Sequence, residues 1–237
     1  MSNRHALASL AALGLLLYPG LAWSQVGHLP GHSPYRDLSV RHALVLQGGY
    51  LSGSGGRPAA GPHDGPLLGL RYTIHLGGPF EAIFGVSAAD LKRVMHEDSL
   101  PPDTTRQSVG IAEVGFGFLL TGEKTWRRLV PYIAATMGAA FGGSVPRDTS
   151  GFTLDGFSFD RAFQFGPQVG IRWYASRRLH LRVEGRDIMW RLTYPQGWYR
   201  LDLYPGAVPP LIAGIDSGIE WTHNLSLNIA LGYALRF

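Results

Sequence analysis

The chain has 237 residues, a formal net charge of +4, 45% hydrophobic residues and no cysteine. That length suits one ordinary domain or one β-barrel, the mild charge gives no call for nucleic acid, and a disulfide framework is excluded. Glycine is abundant, lysine is rare, and arginine supplies nearly all of the positive charge.

Residues 1–24 carry Arg4 as a positive start, an apolar run from Ala6 to Tyr18, a break at Pro19-Gly20 and small residues in Ala22-Trp23-Ser24. This is the pattern of a cleaved signal peptide, and it predicts export. A membrane-anchoring helix is the competing reading, but the apolar run is too short and the break too close. No later stretch reaches the roughly 18 uninterrupted apolar residues of a spanning helix. Residues 25–37 are punctuated by Pro and Gly and read as an irregular lead-in. The body is expected to run over 38–237.

Strand-like segments then recur over 38–51, 67–76, 80–91, 107–121, 130–141, 161–175, 179–193 and 219–237. Side chains alternate faces along a strand, and the alternation is plain. Leu68, Leu70, Tyr72, Ile74 and Leu76 interleave with Gly69, Arg71, Thr73 and His75. Phe163, Phe165, Val169, Ile171 and Trp173 interleave with Gln164, Gly166, Gln168, Gly170 and Arg172. In the last segment Leu225, Leu227, Ile229, Leu231, Tyr233, Leu235 and Phe237 share one face. In 179–193 the phase slips near Asp187, because Ile188, Trp190 and Leu192 carry the apolar face onward, and a bulge is expected there. The connections alternate: long at 52–66, 92–106, 142–160 and 194–218, short at 77–79, 122–129 and 176–178.

The fold class that follows is all-β, a transmembrane up-and-down antiparallel β-barrel of eight strands, with short periplasmic turns and long extracellular loops. In lipid every backbone N–H and C=O must pair within the protein, and two-faced strands meet that demand by closing on themselves. A soluble lipocalin-like barrel would put the apolar face inward instead. The polar face decides against it: Arg71, His75, Glu81, Glu113, Arg172, His180, Arg182, Glu184, Arg186, Glu220 and Arg236 stand among Gly, Ala, Ser and Asn. The glycines fit a tight lumen. Aromatic girdles are expected at both strand ends, with Tyr50, Trp190, Tyr194 and Trp221 outside, and Phe80, Trp173, Tyr233 and Phe237 inside.

With its signal peptide, eight strands and ending "LNIALGYALRF", the chain resembles the small outer-membrane β-barrel proteins of Gram-negative-type bacteria, the superfamily of the OmpA transmembrane domain, OmpX and OmpW. The resemblance covers essentially the whole mature chain. It implies a cell outer-membrane location, a surrounding of outer-membrane lipid and lipopolysaccharide, and delivery by the barrel-assembly machinery. Leu231, Tyr233, Leu235 and Phe237 match the terminal strand that this machinery reads. Activities differ widely across that superfamily, so fold alone assigns no function.

The lumen polar network is expected to comprise Arg71, His75, Glu81, Glu113, Arg172, Arg182, Glu184, Arg186, Glu220 and Arg236, with Glu184 pairing Arg182 or Arg186. Buried charges persist when paired, so a structural plug is the first reading and a gated solute or proton path the second. A lipid A-modifying enzyme is the third reading. His223-Asn224-Leu225-Ser226 spaces its histidine and serine one residue too far apart to share a face. His28 and His32 flank Pro30-Gly31, which argues against a helical metal pair. The stretch 53–58, "GSGGRP", lacks the Gly-Lys-Ser/Thr of a phosphate loop. Arg127-Arg128 and Arg177-Arg178 fall on short turns, where anionic headgroups could meet them. The expectation is a non-enzymatic barrel with no catalytic, cofactor or metal residues, serving envelope integrity or surface interaction through its long loops. A small channel for solutes or hydrophobic compounds, of the OmpW kind, is the alternative.

Overall fold

The computed structural model describes residues 33–38, 40–95, 103–143, 157–195 and 218–235. Among these the chain forms ten strands and no helix: β1 (Tyr35–Asp37), β2 (His42–Gly53), β3 (Gly65–Gly77), β4 (Phe80–Met95), β5 (Asp103–Leu119), β6 (Lys124–Trp126), β7 (Leu129–Gly142), β8 (Arg161–Tyr174), β9 (Leu179–Thr193) and β10 (Ile219–Leu235).

Eight of them close a barrel. The ring runs β2-β3-β4-β5-β7-β8-β9-β10 and returns to β2. Every neighbouring pair is antiparallel, including the seam from Asn224↔Gly53 to Leu235↔His42. The two short strands are additions to the expected eight. β1 falls inside the segment expected to be irregular and pairs with β6, which sits in the short connection before β7. Trp126 pairs with Leu129 across a tight turn whose central residues, Arg127 and Arg128, both have positive φ (49° and 71°). That is the backbone sign of a type I′ hairpin, here without the usual Asn-Gly. The β3–β4 turn uses Gly77 and Gly78, at φ 116° and 58°, and a register shift between His75 and Gly77 marks a bulge beside it.

The outward face is apolar over its whole height. Phe116 is 70% exposed and Ile229 is 66% exposed, and Leu68, Val169, Leu225 and Leu227 continue the surface around the ring. Such a continuous apolar surface far exceeds what water-facing monomers show, and it is the surface a lipid-facing barrel requires. Phe80, Trp173 and Tyr233 stand outward near the short turns, and Tyr50 and Trp221 stand outward near the long connections.

Two expectations fail on β9. The phase does not slip at Asp187: β9 pairs with β10 in unbroken register from Ile219↔Thr193 to Tyr233↔Leu179. The inward positions run His180, Arg182, Glu184, Arg186, Ile188, Trp190 and Leu192 without interruption. What changes at that level is the polarity of the lumen. Trp190 and Tyr194 are therefore not girdle residues but buried inside, at 0% and 4% exposure.

Candidate functional site

The lumen is built in layers, each from inward positions of facing strands. At the middle, Arg71 of β3 reaches Glu184 of β9, with Nη1 donating to Oε2 at 2.8 Å and Nη2 to Oε1 at 3.2 Å. Its Nη2 also lies 3.5 Å from Glu113 Oε1 and 3.3 Å from Gln168 Oε1. The Tyr132 hydroxyl donates to Glu184 Oε2 at 2.6 Å. Arg186 of β9 forms a bidentate pair with Glu113 of β5, one arm being Nη1 to Oε1 at 3.0 Å. Thr136 and Gln164 donate to the same carboxylate at 3.1 and 3.3 Å. One layer closer to the short turns, Arg172 of β8 grips Glu81 of β4 through both terminal nitrogens, with Nη1 at 2.8 Å, and its guanidinium lies 4.4 Å from the Tyr132 ring centroid.

The Arg71–Glu184, Arg186–Glu113 and Arg172–Glu81 pairs each join strands three places apart in a ring of eight. Side chains from nearly opposite walls therefore meet, and the barrel is filled at their level, as an eight-stranded bore allows. Glycine makes the room. A Cβ at Gly85, cross-strand from Glu113, would stand 2.9 Å from Glu113 Oε1, and one at Gly166 would stand 2.7 Å from Arg186 Nε.

The end with the long connections is closed differently. Leu51, Leu67, Leu91, Val109, Ile111, Ile188, Trp190 and Leu192 form an apolar core inside the barrel, joined by Phe157 and Phe159 from the connection before β8. Phe159 packs against Trp190 and Phe157 against Tyr194, at 5.3 and 5.6 Å between ring centroids. Arg93 lies over the Phe157 ring and donates to the Phe157 carbonyl. Residues 54–64 fold over the same mouth. The backbone N–H of Arg57 donates to Glu220 Oε2 at 2.9 Å, and the Tyr194 hydroxyl donates to that oxygen at 2.5 Å. Burial pushes the Tyr194 phenol up, and its bond to Glu220 pushes the same way. On the outer rim the Tyr50 hydroxyl donates to Asp64 at 2.5 Å; that bond holds the Asp64 carboxyl below its ordinary value, against a weaker opposing effect of burial.

Of the residues singled out from sequence, Arg71, Glu81, Glu113, Arg172, Arg182, Glu184 and Arg186 are buried together in the lumen. Glu184 does not pair with Arg182 or Arg186. Its partner comes instead from across the bore, as Arg71, which reaches both carboxylate oxygens. His75 stands apart at the short-turn rim, 3.9 Å from Glu123. Glu220 belongs to the opposite rim, and Arg236 lies outside the described residues. Tyr132, Thr136, Gln164 and Gln168 joined the network unforeseen. β7 gives little contrast between faces, because alanine and glycine occupy so many of its positions. On β10, His223 faces outward with Nδ1 2.6 Å from Asp187, while Ser226 faces inward beside Asn228. The two cannot exchange a proton. Among the described residues no group of His, Asp and Glu is placed to hold a metal ion.

No protein-family model matches the chain, and no curated protein matches it. Solved structures resemble it. Neisserial surface protein A aligns at TM-score 0.49 and 9% identity over 86% of this chain and 98% of its own. The outer membrane protein OprG from Pseudomonas aeruginosa aligns at 0.48 and 11% over 84% and 98%. Ail, the attachment invasion locus protein of Yersinia pestis, aligns at 0.38 and 11% over 82% and 99%.

Glu184→Ala removes the carboxylate that neutralises Arg71 and accepts from Tyr132. The expected cost is about 3–5 kcal/mol, as for other broken buried pairs. The double variant Arg71→Met/Glu184→Leu should recover most of it, since replacing a whole buried pair is often neutral. Urea unfolding of the refolded barrel in detergent, followed by tryptophan fluorescence, measures both.

Proposed function

We propose that this chain is a non-conducting outer-membrane barrel that contributes to envelope integrity and surface contact rather than to transport or catalysis. The observation that carries the reading is the filled bore. Charged pairs meet across its middle, and an apolar core with Phe157 and Phe159 closes one mouth. A hydrated path for ions or solutes would have to break both.

The apolar outward face assigns lipid as the surrounding solvent. In the Gram-negative-type setting that is outer-membrane lipid and lipopolysaccharide, with the short turns toward the periplasm and the long connections at the cell surface. The surface-contact role is assigned to those connections because the charged pairs across the middle of the bore leave no through-path. The cleaved signal peptide read at 1–24 delivers the chain for export.

Planar-bilayer recording tests the transport half of this reading. The refolded barrel should insert without discrete conductance steps at physiological salt. Steady ohmic steps from the unmodified protein would make it a small channel.

The assembly half rests on the last strand. Leu231 and Tyr233 face outward on β10, and Leu235 is its last described residue. Together with Phe237, which lies outside the described residues, they are proposed to be the signal read by the assembly machinery. Deleting Phe237 should sharply reduce membrane insertion in cells while detergent refolding stays close to that of the full chain. Removing one interfacial ring costs only on the order of 1–3 kcal/mol. Equal losses in both settings would make Phe237 a packing residue instead.

A further inference from the structure

The short-turn end of the lumen holds a charge that the network leaves unbalanced. A small cavity of about 10 Å³ lies there, lined by Thr73, Glu81, Arg172, Tyr174, His180 and Arg182 among others. Arg182 is 2% exposed and makes no ion pair among the described residues. Its Nε donates to His180 Nε2 at 2.9 Å, its Nη2 reaches Thr73 Oγ1 at 3.5 Å, and its Nη1 is buried with no partner. Glu81, the one carboxylate lining the cavity, is already gripped by both terminal nitrogens of Arg172.

The histidine beside it sharpens the picture. A guanidinium N–H can only donate, so His180 Nε2 must accept. The ring is then neutral, with its proton on Nδ1. That Nδ1 is buried and has no partner, and neither has Arg172 Nε. Three orphaned donors thus belong to residues lining one cavity, together with one further unpartnered ring nitrogen, His75 Nδ1, and no carboxylate there is free to neutralise Arg182. A buried charge persists only when it is compensated. A cation is repelled here. A water molecule would satisfy donors but bring no charge. The cavity has room for about one small species, which leaves out phosphate, sulfate and lipid carboxylates.

We infer that this cavity binds one small monovalent anion of chloride size, held by Arg182 with the free N–H groups of His180 and Arg172. The ion supplies the negative charge that the four lumen arginines lack against three glutamates, and it ties the end of β8 and the start of β9 to the end of β3. The inference rests on the interior geometry alone and holds whether or not the barrel conducts.

Halide-dependent stability tests it. The barrel is refolded in detergent, transferred to sodium gluconate, and melted while sodium bromide replaces gluconate at fixed ionic strength. The midpoint should rise on the order of a few degrees and then saturate, as binding linkage requires. Arg182→Met should melt at one temperature in both salts. Crystals grown in bromide should show its anomalous signal against the Arg182 guanidinium. Equal midpoints for the unmodified protein in bromide and gluconate, or only a water at that place in the bromide crystals, would overturn the inference. If Arg182→Met does not refold, the salt titration and the anomalous signal of the unmodified protein still decide.

Discussion

Pairing β10 with β2 removes the last free strand edge, and the sorting of the side chains follows from that seam. Once twelve residue pairs from Asn224↔Gly53 to Leu235↔His42 are formed, each of the eight barrel strands has a hydrogen-bonding neighbour on both sides, as a lipid setting demands. Alternation then leaves each side chain one of two places. The outward set, from Leu68 to Ile229, has no core to enter and can be satisfied only by an apolar solvent. The inward set must fill a bore too narrow to hold water in bulk.

That division explains why the interior is so polar and yet so largely paired. An arginine aimed into a narrow lumen needs a compensating negative charge. Arg71, Arg172 and Arg186 find it in Glu184, Glu81 and Glu113, and Tyr132, Thr136, Gln164 and Gln168 fill positions around them. Glycines opposite the long side chains are part of the same solution. At Gly232 a Cβ would stand 2.1 Å from His180 Nε2, so the imidazole occupies the volume a side chain would need. Toward the long connections charge gives way to Trp190, Leu192 and the two phenylalanines that cap them, and the closure there is hydrophobic rather than ionic.

The eight barrel strands were legible because a period of two, set off by Gly- and Pro-rich turns, is a local signal. So was the choice of outward face, since leucines, valines and aromatics fell on one parity. Two kinds of feature were not legible. The apolar run Ile188, Trp190, Leu192 mimics a strand that has changed face, and sequence alone cannot distinguish that from a lumen that has changed polarity. The ion pairs join residues far apart in the chain, with Arg71 and Glu184 separated by 113 positions, and no spacing rule reaches that far. Alternation could place both residues inside but not tell which one meets which. The short strand β1 was hidden for a different reason: Tyr35–Asp37 has no face pattern of its own and is a strand only because β6 lies beside it.

The central claim is that outward residues meet lipid while inward ones meet each other. Because the chain has no cysteine, single nitroxide labels can be placed along β10 without background. In bilayers, labels at Leu227 and Ile229 should be relaxed strongly by oxygen and weakly by a water-soluble nickel chelate, while a label at Ser226 should be shielded from both. Strong relaxation by the nickel chelate at Ser226 would mean a water-filled bore, and the same result at Leu227 and Ile229 would mean that the apolar face is not in lipid at all.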